Sequence, residues 1–311
     1  MNSEEHLKPD RRWEIWKCFT HQQYLDRFFL PARFHSMVPE KVQEAYKSVE
    51  RLISYSYFYY PLTEEVHSKI TRVFEMAVHL KAKQLNIISD QTSHLAGIIN
   101  KFKHSDDFDD ELIEALHRVR QLRNSFAHPE GLMYWGPVGY TNVIGIINII
   151  NRLFIPVNTF HEYITSANAL KEKVEQILPG LTVFDDGITK YLIYRAMPLM
   201  VNPTKAKSVW LLLPVLLKFP QNLDEFKEYK PFVLKLTQLR VGEKEVEGNN
   251  VDNGSTVKIY PTTAELDIDA FKKYEESYTT SDEEVKRIHG NMGNQTFFEV
   301  IDRFLYDEFW S

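Results

Sequence analysis

The stretch RQLRNSFAHPEG, residues 120–131, decides the fold of the first half of the chain, because it marks the end of an amphipathic helix. Pro129 disfavours helical geometry at His128, and Gly131 permits a turn. Upstream, apolar side chains recur at the three- and four-residue intervals of one buried helical face. They are Leu112, Leu116, Val119 and Phe126. We therefore expect a helix that stops at the histidine.

Arg123 and His128 are the main chemical groups of this stretch and lie five positions apart. In an uninterrupted helix with about 100° per residue, they would point roughly 140° away from each other. The proline after the histidine lets the last turn unwind, so that the imidazole can swing back along the helix end. A second copy of the helix across a two-fold axis could supply further groups. The two side chains can share a site only at a helix terminus.

Helical periodicity extends outward from this stretch in both directions. Three helices are predicted at 41–60, 92–102 and 141–159. Two more are predicted from their start signals: one begins at Thr63 as its N-cap, and the other begins at the acidic run SDDFDD (105–110). The helix at 141–159 is nearly continuous in Ile and Val, which indicates burial in a bundle or in a dimer interface. The aromatic and basic segment 11–34 has a composition that also suits stacking on nucleic acid, but it is interpreted as an arm packed on this bundle.

The pattern changes near residue 178, where ILPGLTVFDDG (177–187) has the composition of a turn. Strands are predicted in KYLIYRAMPLMV (190–201), SVWLLLPVLLKF (208–219), PFVLKLTQLRV (231–241) and STVKIYP (255–261), with GEKEVEGNNVDNG (242–254) as a polar loop. Helices are predicted at 264–277 and in TFFEVIDRFLYDEFW (296–310). The expected fold class is α + (α+β), with an arm (1–38), a helical bundle (39–170) and a β-rich domain ending in helices (171–311).

The bulk composition is that of an ordinary two-domain globular chain of 311 residues, 43% hydrophobic and 26% charged. A formal charge of −6 gives no general attraction to nucleic acid, so RNA contact would depend on a local basic patch. Cys18 is the single cysteine, and the start of the chain does not resemble a secretory signal. The longest apolar run, 209–217, is broken by Pro214 and is too short for a membrane span. We expect a cytoplasmic protein with no membrane partner.

The residue types at the predicted helix end suit metal-independent RNA transesterification. The imidazole of His128 can take a proton from a ribose 2′-hydroxyl near neutral pH. The guanidinium of Arg123 can hold the phosphate and stabilise negative charge on its oxygens, and Asn124 can orient a ring nitrogen or a phosphate oxygen. These three residues are the predicted catalytic set. No cofactor is expected, and the absence of an HExxH pattern and of a cysteine pair leaves a metal site without support.

Flanking residues extend the candidate site. Arg118 and Arg120, together with His117, add local positive charge and are predicted to bind substrate. Asn148 and Asn151 interrupt the apolar helix on one side, where they either line the cleft as substrate-binding residues or form an interhelical hydrogen bond.

Weaker features have simpler interpretations. Glu75 and Arg72 could support the site, although an acid on a long helix is usually solvated. HGNMGN (289–294) is predicted to be a plain loop, and SDEE at Ser281 is predicted to be a capping box.

RNSFAHP, in this helical context, resembles the HEPN domain superfamily, whose mark is an arginine and a histidine with four to six residues between them, including a polar one beside the arginine. Arg123, the polar Asn124 beside it, and His128 match that pattern. The resemblance covers about residues 39–165. It implies a bundle of four or more helices, a homodimer formed through the bundle that places two motifs in one cleft, and metal-independent endoribonuclease activity. Active members are often toxins or antiviral effectors of prokaryotes.

Two other interpretations stay open. Arg123 and His128 could simply satisfy the end of a helix. The chain could also be a non-catalytic HEPN-like module that binds a protein, nucleotide or nucleic acid partner. In a regulatory version, the β-rich domain senses a trigger, such as a protein partner, and releases the nuclease.

Overall fold

The computed structural model describes residues 7–88, 94–127, 136–216, 219 and 231–310, with the backbone alone at 127 and 288–296. Contacts divide the chain into two compact units. The first unit comprises residues 1–158 and 305–311, and the second comprises residues 159–304. The second unit is thus inserted into the sequence of the first. Helices at the N-terminal side and an antiparallel barrel in the C-terminal half make the mixed fold that the sequence predicts.

The first unit is built from helices around one apolar core. The elements are a 3-10 turn Arg11–Trp16, α1 His21–Phe28, α2 Glu40–Tyr55, α3 Leu62–Gln84, α4 Leu95–Phe102, α5 Asp110–Ala127, a 3-10 turn Gly136–Gly139 and α6 Tyr140–Phe154. The periodic apolar positions predicted for these helices lie inside: on α2 they are Val42, Tyr46, Val49 and Ile53. The acidic run also starts α5 as predicted, because Asp109 Oδ1 accepts a hydrogen bond from the Leu112 amide at 2.7 Å.

The described part of the arm predicted at 1–38, residues 7–38, packs on the bundle, and α2 ends earlier than its periodicity predicts. The Trp13 indole donates to the Ser56 carbonyl at 2.8 Å, and the Tyr24 hydroxyl donates to the Ile53 carbonyl at 2.7 Å. Both rings are fully buried. These donors satisfy carbonyl groups at the end of the helix, so the chain leaves helical geometry after Tyr55 rather than at Pro61.

Two other predicted helix boundaries are wrong. Thr63 is not an N-cap, because α3 begins at Leu62 after Pro61, and the threonine is buried inside the first turn. The single helix predicted at 141–159 is two helices, because Pro156 has no amide hydrogen and Ile155 takes up extended geometry before it.

α7, Val157–Ile177, leads from the first unit into the second, whose described residues form six strands and two further helices. The strands are β1 Thr182–Asp185, β2 Lys190–Asn202, β3 Lys207–Pro214, β4 Phe232–Val241, β5 Val246–Asn250 and β6 Thr256–Pro261, followed by α8 Glu265–Thr279 and α9 Glu283–Phe304. Each strand pairs antiparallel with the next, and β1 pairs with β6, which closes a barrel. Apolar side chains from all six strands fill its core, with Val174 and Leu178 packed against them.

The sequence predicts four of these strands but misses β1 and β5, which it assigns to a turn and to a polar loop. The sequence of β5, VEGNN, is rich in residues that disfavour strands. Its neighbours β4 and β6 hold it from both sides, and a side chain at Gly248 would press on the Thr237 carbonyl. Pairing across the barrel therefore overrides local preference.

The end of the chain also differs from the prediction. The HGNMGN segment lies within α9 and is not a loop. The helix is capped by Asp282, whose Oδ1 accepts from the Glu284 amide at 2.7 Å, while the Ser281 hydroxyl donates to the Ser277 carbonyl. Residues 305–311, predicted to end the β-rich domain, belong to the first unit, and the boundary predicted at 170 falls at 158.

Candidate anion site on helix α5

The C-terminal half of α5 presents basic and polar groups on one face. At about 100° per residue, His117, Arg120, Arg123 and Asn124 fall within an arc of about 120° centred on Arg120. Arg118 points to the opposite side, where its Nη1 lies 3.8 Å from Glu114 Oε2 and both side chains are mostly exposed. The two arginines predicted to bind substrate therefore belong to different faces, and Arg120 is the one that shares the face of Arg123.

Arg123 is the arginine on this face that belongs to the RNSFAHP stretch. Its Nη2 lies 3.3 Å from Glu75 Oε2 on α3, and its Nη1 donates to Asn124 Oδ1 at 3.4 Å. The Arg123 side chain is 39% exposed and that of Glu75 is 28% exposed. Both contacts are long for charge-assisted hydrogen bonds, so the guanidinium is held loosely and remains open to a better acceptor. Glu75, which the sequence analysis named as a residue that could support the site, is the acid in this ion pair.

His128 and Pro129 lie outside the described residues, which end on this side at Ala127. The structure therefore gives no position for the imidazole relative to Arg123.

His67 is a buried imidazole next to this site that the sequence analysis did not single out. It lies on α3, 1% exposed, and stacks on Phe126 with 5.5 Å between ring centroids and 6° between planes. Burial lowers the pKa of His67 to about 4, while a backbone hydrogen bond with Gly136 opposes the shift. The ring is thus neutral at physiological pH. Its contacts include residues on both sides of 128–135. The sequence signal that could have predicted its burial is its place on the same helical face as Ile70 and Phe74.

Gly136 adds a close contact at the start of the following 3-10 turn. Its φ of +51° is in the left-handed region, and a side-chain carbon there would overlap the Tyr60 hydroxyl. Both the backbone conformation and the available space therefore require glycine.

Asn148 and Asn151 on α6 are buried, and their side chains form hydrogen bonds with the N-terminal arm and with the C-terminal segment of the first unit. Asn151 Oδ1 accepts from the His35 amide at 3.0 Å, and its Nδ2 donates to the Arg33 carbonyl at 2.9 Å. Asn148 Oδ1 accepts from the Trp310 indole at 2.8 Å. With 4% and 0% exposure respectively, the two amides do not line an open cleft. The structure gives them a structural role in place of the predicted contact with substrate.

Within the described ranges, no three His, Cys, Asp or Glu side chains form a group that could hold a metal ion. No single helix in that part of the chain is long and apolar enough to cross a membrane. No protein-family model, curated protein or solved structure matches the chain.

Proposed function

We propose that this protein is a metal-independent endoribonuclease of the HEPN type that acts as a cytoplasmic homodimer, in the manner of a toxin or antiviral effector. The main support for the proposal is the exposure and the weak bonding of the Arg123 guanidinium. It is a partly exposed guanidinium near the end of α5, five positions before a histidine, and it is held by two long contacts. A phosphate can replace those contacts with two short, parallel hydrogen bonds.

In the proposed reaction, the ribose 2′-oxygen attacks the adjacent phosphorus and the P–O5′ bond breaks. His128 takes the proton of the 2′-hydroxyl, and a protonated imidazole from the second copy gives a proton to the departing 5′-oxygen. The products are a 2′,3′-cyclic phosphate and a 5′-hydroxyl.

Arg123 stabilises the charge that develops on the two non-bridging oxygens, and Asn124 orients the guanidinium through the amide oxygen that it already contacts. Since the guanidinium supplies positive charge at the phosphorus, no resident cofactor is required for this step.

The test is cleavage of end-labelled RNA by purified protein in EDTA, with the product ends identified. We expect products with 2′,3′-cyclic phosphate ends. Arg123→Ala and His128→Ala should each reduce the cleavage rate by about 100-fold or more. Arg118→Ala is the matched control, because it removes an arginine from the opposite face of the same helix, and it should cleave at the wild-type rate. Equal activity in wild type and in both site variants would identify a contaminating nuclease and end the proposal.

The non-catalytic alternative makes a different prediction in the same experiment. A binding module would retain RNA or a copurifying partner without turnover, and its binding would be insensitive to His128→Ala.

A further inference from the structure

A second group of basic side chains lies on the same face of α5, one helical turn before Arg123. Arg120 Nε donates to His117 Nδ1 at 3.4 Å. Lys103, which follows the last residue of α4, is close enough to act on the same imidazole. The pKa of His117 is lowered by burial first, and then by the positive charges of Arg120 and Lys103. The half-buried His117 and Arg120 are therefore in contact, and the positive charge of the exposed Lys103 acts on the same imidazole.

No carboxylate neutralises this group in the part of the chain that the structure describes. None of the three side chains forms an ion pair there. The nearest acid along the helix, Glu114, instead faces Arg118 on the other side. Concentrating like charges in a partly desolvated place costs free energy, and a bound anion removes that cost.

The hydrogen-bond pattern leaves donors available to such an anion. Because Nδ1 of the neutral His117 accepts from Arg120, the ring proton must be on Nε2, which is then a donor. The Arg120 guanidinium keeps its two terminal nitrogens, and the Lys103 ammonium adds a third group of donors. Three donor groups and no acceptor suit a phosphate.

The distance along the helix connects this group to Arg123. Arg123 lies three positions after Arg120, which is about 4.5 Å of rise on the same face. Phosphates that follow one another along a nucleic acid strand could therefore occupy the two positions together, whereas a single carboxylate could occupy only one.

We propose that Lys103, His117 and Arg120 form a subsite for the backbone phosphate next to the one held at Arg123. The proposal rests on the RNA substrate of the proposed function, but it concerns binding and does not require cleavage. It makes α5 a short track for single-stranded RNA on a protein whose net charge is negative.

The experiment measures binding of a short 2′-O-methyl oligoribonucleotide at several salt concentrations. Its blocked 2′-oxygens cannot attack phosphorus, so affinity is measured without turnover. Each phosphate contact on a single strand contributes about −0.7 to the slope of log affinity against log salt. Arg120→Gln and Lys103→Gln should each make the slope shallower by about that amount. Arg118→Gln, with the same charge change on the opposite face, should leave it unchanged.

Several outcomes overturn the proposal. They are an equal loss of slope in Arg118→Gln and Arg120→Gln, an unchanged slope in Arg120→Gln, or the absence of binding by wild type. In an NMR arm, the oligonucleotide should shift the ring signals of His117. Equal shifts with inorganic phosphate at the same phosphate concentration would assign the site to free anions and refute a backbone subsite. Slope changes without any RNA cleavage would refute the nuclease and support the subsite.

Discussion

Replacing Trp310 with alanine should destabilise the first unit by about 3–5 kcal/mol, even though the residue is the second from the end of the chain. The indole is 5% exposed, lies 4.5 Å from the Phe309 ring and 5.8 Å from the His35 ring, and donates to Asn148 Oδ1 at 2.8 Å. The residue therefore behaves as part of the core.

The magnitude follows from the burial of a large ring. A buried aromatic side chain removes about 150–250 Å² from water, which at about 25 cal/mol per Å² gives an upper limit of about 4–6 kcal/mol. The hydrogen bond to Asn148 adds about 1 kcal/mol. Relaxation around the vacated space lowers the sum toward the range seen for such replacements in cores.

Urea unfolding followed by circular dichroism, with hydrogen exchange measured on α6, separates this loss from changes in the second unit. Trp310→Phe keeps a ring but loses the indole donor, so it should cost less than alanine. Phe298→Ala is the matched control, since it removes a ring that is 65% exposed in the same C-terminal region, and it should change stability by less than about 0.5 kcal/mol. If Trp310→Ala cost no more than Phe298→Ala, the docking of the C-terminal segment would be refuted.

Three further predictions concern the site. Glu75→Gln should tighten binding of the 2′-O-methyl oligonucleotide about two- to fivefold, because the carboxylate competes with the ligand for Arg123 and a partly exposed ion pair is worth at most about 1 kcal/mol. Weaker binding would mean that the carboxylate positions the arginine for its ligand. Because the pKa of His67 is about 4 when folded and near 6.5 when unfolded, the unfolded chain binds the extra proton between these values. Stability should therefore fall by up to about 3 kcal/mol as pH drops from about 6.5 to 4, and His67→Phe should remove that part of the pH dependence in urea titrations. Gly136→Ala should lower the thermal unfolding midpoint, with partial rescue by Tyr60→Phe; no loss in the single variant would contradict the close contact.

The helices of the first unit were largely predictable because their signals are local. The apolar spacing of α2 and the acidic start of α5 depend on residues within a turn or two, and both were found where the sequence predicts them. The same arithmetic shows that Arg120 shares a face with Arg123 and that Arg118 does not, which the ion pair with Glu114 bears out.

The partners of those side chains were not predictable with the same certainty. Glu75 lies 48 positions before Arg123, and Lys103 acts on His117 from the end of a different helix. Nothing in the spacing of residues along α5 specifies which helix packs beside it, so the charges that surround the candidate site are set by packing.

The sequence by itself determined the buried face of α2, the acidic start of α5 and four of the barrel strands, because periodicity and capping act over a few neighbouring residues. Tertiary structure decided the rest: β1 and β5 exist because the barrel closes, and α2 ends where the arm supplies donors. It also turned Asn148 into the acceptor for an indole 162 positions away. Contacts at such separations form only when the whole core assembles, since no local pattern repays the entropy of closing so long a loop.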